Sequence, residues 1–497
     1  MTTTEGDAAR VIVVGAGISG LTCAHRIAER HPEAEVVVLD AGARPGGKIR
    51  TSIIDGIVVD EAADAFLARV PSAIDLCREL GLDDQFVTPA ERRAFVYRHG
   101  ALHRFPEGIV LGVPTDLDAL RASGLISEAG LERAAMDLDP EADLPPGPAA
   151  GEDETVGELV RRRLGDEVFE ALVNPLLSGV NAGHADELSV QAGAAQLAAA
   201  VRDQPSLITG LRRQREAALH APDYDPDAPI FYGLRGGTQT LTDALAGALP
   251  RGSIRTGITV EEVTPHHEGG FVVRANDASD TAASLAADVV VLATPSYATS
   301  ALVEPWAPTL AGELGALAWA DVALVTFAVP RDKIAHPLDG SGFLVSDGEG
   351  LLMSACSFGS SKWAHWHADP GAAGAQDVIL RVSAGRHGDP RALALDDDEL
   401  VAALLVDLET TIGLHGAPTE VRVSRWYRAL PQYRPGHLAA AQRWKDEAMG
   451  VPGFFLTGAS YLGLGIPACI ADAERTAAAV GQLIEGRRIE GEGAGPR

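Results

Sequence analysis

Cysteine, lysine and long apolar runs are all in short supply in this chain, and each shortage removes a class of function. Cys23, Cys77, Cys356 and Cys469 are widely scattered and form no C-x-x-C pair. That pattern suits reduced, mostly buried thiols in a cytosolic protein rather than a disulfide framework. Lysine occurs only at Lys48, Lys333, Lys362 and Lys445, and 41 basic residues face 69 acidic ones, for a net charge of −28. Nucleic acid is excluded as a partner, because binding it requires Lys and Arg to neutralise phosphates. An anionic membrane surface is disfavoured on the same ground. No stretch approaches 18 consecutive apolar residues, so no transmembrane segment is expected. The start, Met1 to Arg10, is polar with two acids and no apolar centre, unlike a secretory signal. Ser/His/Asp and paired-carboxylate arrangements are also missing, and no residue declares itself a general base.

What is present begins with length. At 497 residues, 46% of them hydrophobic and 22% charged, the chain reads as soluble and globular, with two or three domains. Its most informative segment is Val11-Ile-Val-Val-Gly-Ala-Gly-Ile-Ser-Gly20. Four β-branched residues predict a buried strand, Gly15, Gly17 and Gly20 follow at the G-x-G-x-x-G spacing, and Leu21 to Arg30 reads as a helix. Gly15 makes a tight turn, Gly17 admits a pyrophosphate to the backbone, and Gly20 lets helix and strand pack closely. The helix N-terminus offers N–H groups and a positive dipole end. A second strand, Glu35 to Leu39, ends in Asp40, where a carboxylate is expected on a ribose hydroxyl.

The segment Arg44-Pro-Gly-Gly-Lys48-Ile-Arg-Thr51 points to FAD rather than NAD. Gly46 and Gly47 permit a compact turn whose N–H groups can form an anion nest, with Lys48 or Arg44 adding charge. Downstream, Pro71 to Leu80 reads as an amphipathic helix, and Arg92 to Arg104 as a β-hairpin centred on His-Gly. Met136 to Glu154 reads as an acidic loop, Thr155 to Val173 as a helix, and Asp223 to Pro229 as a linker that ends a mostly helical insert. Strands are expected at Ile258 to Val263, Phe271 to Arg274 and Val289 to Ala293. A second sheet is expected from Val322 to Val329, Leu351 to Cys356, Val378 to Ser383 and Val421 to Trp426. Phe454 to Ile466 echoes the opening strand and glycine turn, followed by a helix from Ala468 to Ile484.

Several separated motifs agree on one family. Val14-Gly-Ala-Gly-Ile-Ser-Gly-Leu21, Gly46-Gly-Lys-Ile-Arg-Thr51, Phe105-Pro-Glu-Gly108 with Gly112-Val-Pro-Thr115, Asn174-Pro-Leu-Leu-Ser-Gly-Val-Asn-Ala-Gly183, Leu430-Pro-Gln-Tyr433 and Gly458-Ala-Ser-Tyr-Leu-Gly-Leu-Gly-Ile-Pro467 span almost the whole chain. The chain resembles the flavin-dependent protoporphyrinogen/coproporphyrinogen oxidases, most of all the bacterial coproporphyrin-forming branch. The resemblance implies an α/β fold with a Rossmann-type, p-hydroxybenzoate-hydroxylase-like FAD domain built from residues 1–84, 226–299 and 446–497. It implies a helical inserted domain at 85–225 and a mixed α+β substrate domain at 300–445. The implied reaction is oxygen-dependent, six-electron oxidation of coproporphyrinogen III to coproporphyrin III by FAD, with release of hydrogen peroxide, in haem biosynthesis. A cytoplasmic location follows, with peripheral membrane contact left open, as does a transient contact with a ferrochelatase.

Carried over residue by residue, Gly15, Ala16, Gly17, Ile18, Ser19 and Gly20 would hold the diphosphate and Asp40 the ribose. Arg44, Gly46, Gly47 and Lys48 would lie along the cofactor and Val263 near the adenine. Ala459, Leu464, Gly465 and Ile466 would approach the flavin end, and Ala41, Ala63, Asp64, Ala65 and Trp426 join the cofactor contacts. Three departures stand out: Asp40 where the family usually has Glu, Ala62-Ala63-Asp64-Ala65-Phe66 where it commonly has Gly-Pro before Asp-Ser-Phe, and Ala94 where eukaryotic members carry an Arg.

A porphyrinogen needs an apolar slot with basic groups at the rim. Arg69, Arg92, Arg93, Arg98 and Arg104 cluster in sequence, and Arg69, Arg93 and Arg98 are the candidates for propionates. Phe343 and Met353, beside Phe327, are candidates for the pocket floor. His365 and His367 in Lys362-Trp-Ala-His-Trp-His367 lack a third ligand at metal spacing, so no metal site is expected. Protoporphyrinogen IX oxidation, a flavin amine oxidase or carotenoid-type desaturase, and a non-catalytic flavin-containing porphyrin carrier are the competing readings.

Overall fold

Val11 to Val14 carry no polar interruption, and the strand they form is buried on both faces. The computed structural model describes residues 8–145, 148–149, 151–221, 225, 228–277, 279, 281–367 and 377–493. Met1–Asp7 and most of the expected linker at 223–229 therefore lie outside the described residues. The opening strand, Arg10–Val14, pairs in parallel with Glu35–Asp40 on one side and Val289–Leu292 on the other. Ile254–Thr256 and Phe454–Leu456 complete a five-stranded parallel sheet among the described residues. Side chains alternate across a strand. Val11 and Val13 accordingly pack with Leu21 and Ile27 of the helix Ile18–Arg30 and with Ile470 and Val480 of the final helix, Ile466–Gly493. Ile12 and Val14 pack instead with Val263, Phe271 and Val273 of an antiparallel meander, Thr259–Pro265, Phe271–Asn276 and Ala282–Ala287. A parallel sheet covered on both faces explains the unbroken apolar run.

A seven-stranded sheet forms the second layer, in the order Glu420–Pro431, Trp319–Pro330, Asp377–Ala384, Met353–Phe358, Gly342–Val345, Phe95–Arg98, Ala101–Arg104. One face is covered by the helix Asp397–Ile412, whose start is fixed by a capping box between Asp396 and Glu399 and whose end is Gly413 in the left-handed region. The hairpin belongs here, not to the helical insert. His99 and Gly100 both take positive φ (52° and 75°), as a type I′ turn demands, and Phe95–Arg98 then pairs with Gly342–Val345. Burial of Phe95 and Tyr97 in that sheet's core decides its position.

The insert itself is a helical cluster around Leu159, Phe169, Leu172, Leu197 and Leu211. The helix expected over 155–173 is broken. A capping box of Thr155 and Glu158 starts Val156–Leu164, Gly165 at φ 89° ends it, and a wide π-turn at Phe169–Val173 leads into Asn174–Asn181. Pro175, with no N–H to donate backward, sits just after that widened turn. The helices Ser296–Val303 and His437–Met449 cross the expected boundaries at 299 and 445, because Leu302 and Trp444 pack beneath the five-stranded sheet.

Candidate functional site

Gly15, at φ 104°, turns the chain at the carboxyl end of the opening strand, and its N–H donates to the Leu39 carbonyl at 2.7 Å. The turn is thereby tied to the neighbouring strand. Asp40, at that strand's end, accepts from the Ala16 N–H at 2.5 Å and the Gly42 N–H at 2.7 Å. A carboxylate offers about four lone-pair sites, so capacity for a hydroxyl remains. Gly17 precedes the helix in extended conformation and provides no side-chain cap, which leaves the helix N-terminus open.

The second glycine turn closes onto the first. The Gly46 N–H donates to the Ala16 carbonyl at 2.8 Å, Gly46 bridges Gly17, and Gly47 at φ 58° passes directly against Gly17. Arg44 braces this turn from within, donating to the carbonyls of Pro45 and Ile49 at 2.9 and 3.1 Å. The third glycine segment arrives from the far end of the chain. Gly458, at φ 127°, lies beside Ser19 and Ala293, and the Ser19 hydroxyl faces the Cys469 carbonyl at 3.5 Å. Buried Asp472 anchors the segment, accepting from the Thr457 hydroxyl (3.0 Å), the Gly458 N–H (3.1 Å) and Lys445 (2.5 Å). Two glycine segments from the start of the chain and a third from some four hundred residues on thus meet at one sheet end.

Beyond that meeting point lies a small apolar group: Ala182, Ala320, Val322 and Ala429, with Leu324, Trp426 and Leu430 half-buried beside them. Trp426 is oriented by its indole N–H, which donates to the Glu61 carbonyl at 2.9 Å. Lys48 extends into the same region, donating to the Ala429 carbonyl at 2.5 Å with its ammonium 4.7 Å from the Trp319 ring centre. Asp64 is held between Lys362 (2.8 Å) and Arg381 (3.0 Å) and accepts from the Trp363 indole at 2.9 Å. Arg381 also donates to the Ala62 carbonyl, and Thr238 to that of Ala63. The loop of Ala62 to Ala65 is therefore clamped to the seven-stranded sheet.

A family model described as flavin containing amine oxidoreductase matches residues 18–481. The chain belongs to that family. Among curated proteins of the family's kind, the coproporphyrinogen III oxidase of Bacillus subtilis is 31% identical over 93% of this chain and 95% of its own. That of Mycobacterium tuberculosis is 35% identical over 95% and 97%. The chloroplastic protoporphyrinogen oxidase 1 of Arabidopsis thaliana is 28% identical over 94% and 90%. A solved structure from Exiguobacterium, provisionally named a protoporphyrinogen oxidase, superposes with a TM-score of 0.83 at 30% identity, covering 98% of this chain and 100% of that one. Like other members of the flavin family, this protein is an FAD-dependent oxidoreductase.

The residues present fit such a cofactor: open ground above Gly17, an uncapped helix N-terminus, a carboxylate at the end of the second strand and a second glycine turn folded over the first. Val263 is wholly buried and its carbonyl is taken by the Trp306 indole at 2.7 Å, so its side chain faces the core. Ile466 is buried, Leu464 leans on the helical insert, and Ala459 accepts from the Tyr433 hydroxyl at 2.5 Å, while Ala41, Ala63 and Gly465 are exposed.

The expected substrate residues do not converge. Arg69 is exposed and bonds Gln196 at 3.2 Å, Arg93 is exposed and paired with Glu91, and Arg98 faces Glu170 at 3.9 Å. Phe343 and Met353 are buried in the helix-covered core with Phe358, a correction set by strand parity. Leu344, one residue on, turns the other way and meets Gly179 of the insert. The basic groups that do border the apolar patch went unforeseen. Arg386 and His184 share Asp347, at 2.5 and 3.4 Å, and the backbone N–H of His387, next to Arg386, donates to the Ala182 carbonyl at 2.7 Å. No local motif announces them, because they come from a strand end and a helix end brought together only by packing. Among the described residues, no group of three or more His, Cys, Asp or Glu is arranged to hold a metal.

Proposed function

We propose that this chain oxidises coproporphyrinogen III to coproporphyrin III, in haem biosynthesis. Six electrons and six hydrogens leave the macrocycle, and three molecules of dioxygen become three of hydrogen peroxide. The observation that carries the reading is the end-to-end match to proteins named coproporphyrinogen III oxidase, on a chain whose three glycine segments meet at one cradle.

Bound FAD supplies the hydride acceptor. The chain's own contributions are position and charge. Backbone N–H groups from Gly17 to Gly20 would hold the diphosphate and Asp40 the ribose, with Gly46 and Gly47 beside them. Lys48, Trp426, the Ala62–Ala65 loop and the Ala459–Ile466 segment would line the flavin end. Ala182, Ala320 and Val322 offer an apolar wall that excludes water from the reacting face. Arg386 and His184 stand at its rim, where substrate carboxylates would compete with Asp347 for them. In a protein of charge −28, concentrating cations at the pocket is what draws a polycarboxylate in. The protein works in the cytoplasm in this reading and hands its product to a ferrochelatase; no described helix is long and apolar enough to cross a membrane.

The test is anaerobic mixing of the holoprotein with coproporphyrinogen III and, separately, protoporphyrinogen IX, following bleaching of the flavin band. Fast bleaching by the first alone is expected. Equal bleaching by both would make protoporphyrinogen IX an equal substrate. Bleaching by neither would overturn the porphyrinogen reading in favour of amines or polyenes.

A further inference from the structure

Lys48 carries a half-buried ammonium that meets no carboxylate among the described residues. Its oxygen partner is the Ala429 carbonyl at 2.5 Å, and its other close neighbour is the face of Trp319. The ionisable group that bears on it is the Cys469 thiol, which burial pushes up to about 11 and so keeps neutral. Two other lysines show the contrast: Lys362 meets Asp64 and Lys445 meets Asp472. A cation withdrawn from water without a counter-ion is costly, and burial accordingly lowers the Lys48 pKa to about 8.

The backbone is shaped to keep it there. Between Ala320↔Leu430 and Val322↔Trp426 the strand Glu420–Pro431 bulges opposite Asp321. Arg428 sits at φ 46° within the bulge, its N–H donates to Asp321 at 2.6 Å, and its guanidinium lies 4.2 Å from the Tyr297 ring centre. A bulge with a left-handed non-glycine residue is a strained device of the kind found near active sites. Its effect here is to place the Ala429 carbonyl against Lys48. Lys48 follows Gly47 on the second glycine turn, but its ammonium reaches away toward the apolar wall.

We propose that the Lys48 ammonium is held at the flavin end to meet the negative charge the ring system gains when it is reduced. Hydride transfer brings two electrons and one proton, so the donor carbon loses hydride and the ring gains one negative charge; the pyrrole proton goes to water. Dioxygen and a proton then remove the hydride as hydrogen peroxide, and the charge is lost again. The inference rests on the FAD reading and not on the identity of the substrate.

The experiment is a dye-coupled anaerobic titration of flavin potential in holoprotein carrying Lys48→Met or Lys48→Arg, with no porphyrinogen present. Lys48→Met should weaken the preference for reduced flavin at least tenfold, about 30 mV at two electrons, and Lys48→Arg should retain most of it. An unchanged potential in Lys48→Met overturns the proposal: weaker FAD retention would then assign the ammonium to the diphosphate, and a raised KM to a substrate carboxylate. Should Lys48→Met fail to hold FAD, the wild type decides. Its potential should fall more steeply above about pH 8, where the oxidised form has lost the lysine proton and reduction restores it; a straight line through that region overturns the proposal. A wild type that no porphyrinogen bleaches would sink the proposed function while leaving this result standing.

Discussion

Gly20 passes so close to Gly15 that a side-chain carbon on it would lie 1.8 Å from the Gly15 carbonyl oxygen, whereas one on Gly17 would meet nothing within 4 Å. The two glycines of one motif therefore answer to different demands, the first to folding and the second to a ligand. Gly20→Ala should lower the melting temperature of the apoprotein, because the helix must move off the strand. Gly17→Ala, in extended backbone at φ −73°, should leave stability within about 0.5 kcal/mol and weaken FAD binding at least tenfold. Thermal unfolding of apoprotein, set beside fluorescence titration with FAD, separates the two.

Asp64 links the loop of Ala62 to Ala65 with the seven-stranded sheet. Its burial favours the neutral acid, but the charges of Lys362 and Arg381 outweigh that and hold the carboxyl well below the usual carboxylate range. Asp64→Asn leaves buried Arg381 and half-buried Lys362 without their anion and should cost about 3 kcal/mol. A carboxylate whose folded pKa is depressed contributes stability above its unfolded pKa, near 3.9, and loses it as pH falls toward the folded value. The gap in melting temperature between wild type and Asp64→Asn should thus narrow below about pH 4. A gap that stays constant would argue against the ion pairs as its source.

His184 gains its proton affinity chiefly from a hydrogen bond to Asp347, against the opposing effects of burial and of Arg386. Its titration midpoint, followed by NMR, should lie above the usual 6.5 and drop in Asp347→Asn. With a raised folded pKa, the pairing helps the folded state most below the unfolded pKa and is lost as pH rises through the folded one. An unshifted midpoint would remove His184 from the proposed rim.

Met353 is packed in the core beneath the seven-stranded sheet. Met353→Ala should destabilise by about 2–5 kcal/mol and leave KM for the porphyrinogen unchanged. A large KM effect without loss of stability would return it to the pocket.

The glycine turns were legible because their demands are local: positive φ at Gly15, Gly46 and Gly47, and a tight crossing at Gly20, are written within a few residues of each motif. The buried strands at 11–14 and 289–292 were legible for the same reason, since an unbroken apolar run suits a sheet covered on both faces. Tertiary structure alone decided that the hairpin at 95–104 joins strand 342–345, that Phe343 faces the core while Leu344 faces the insert, and that Arg98 and Arg104 are matched by Glu170 and Asp339. It also brought Lys48 to Ala429, 381 residues away. Conformation and periodicity are set by neighbours along the chain. Partners are chosen by which distant surfaces bury together and which charges then find a counter-ion, and only the packed chain makes that choice.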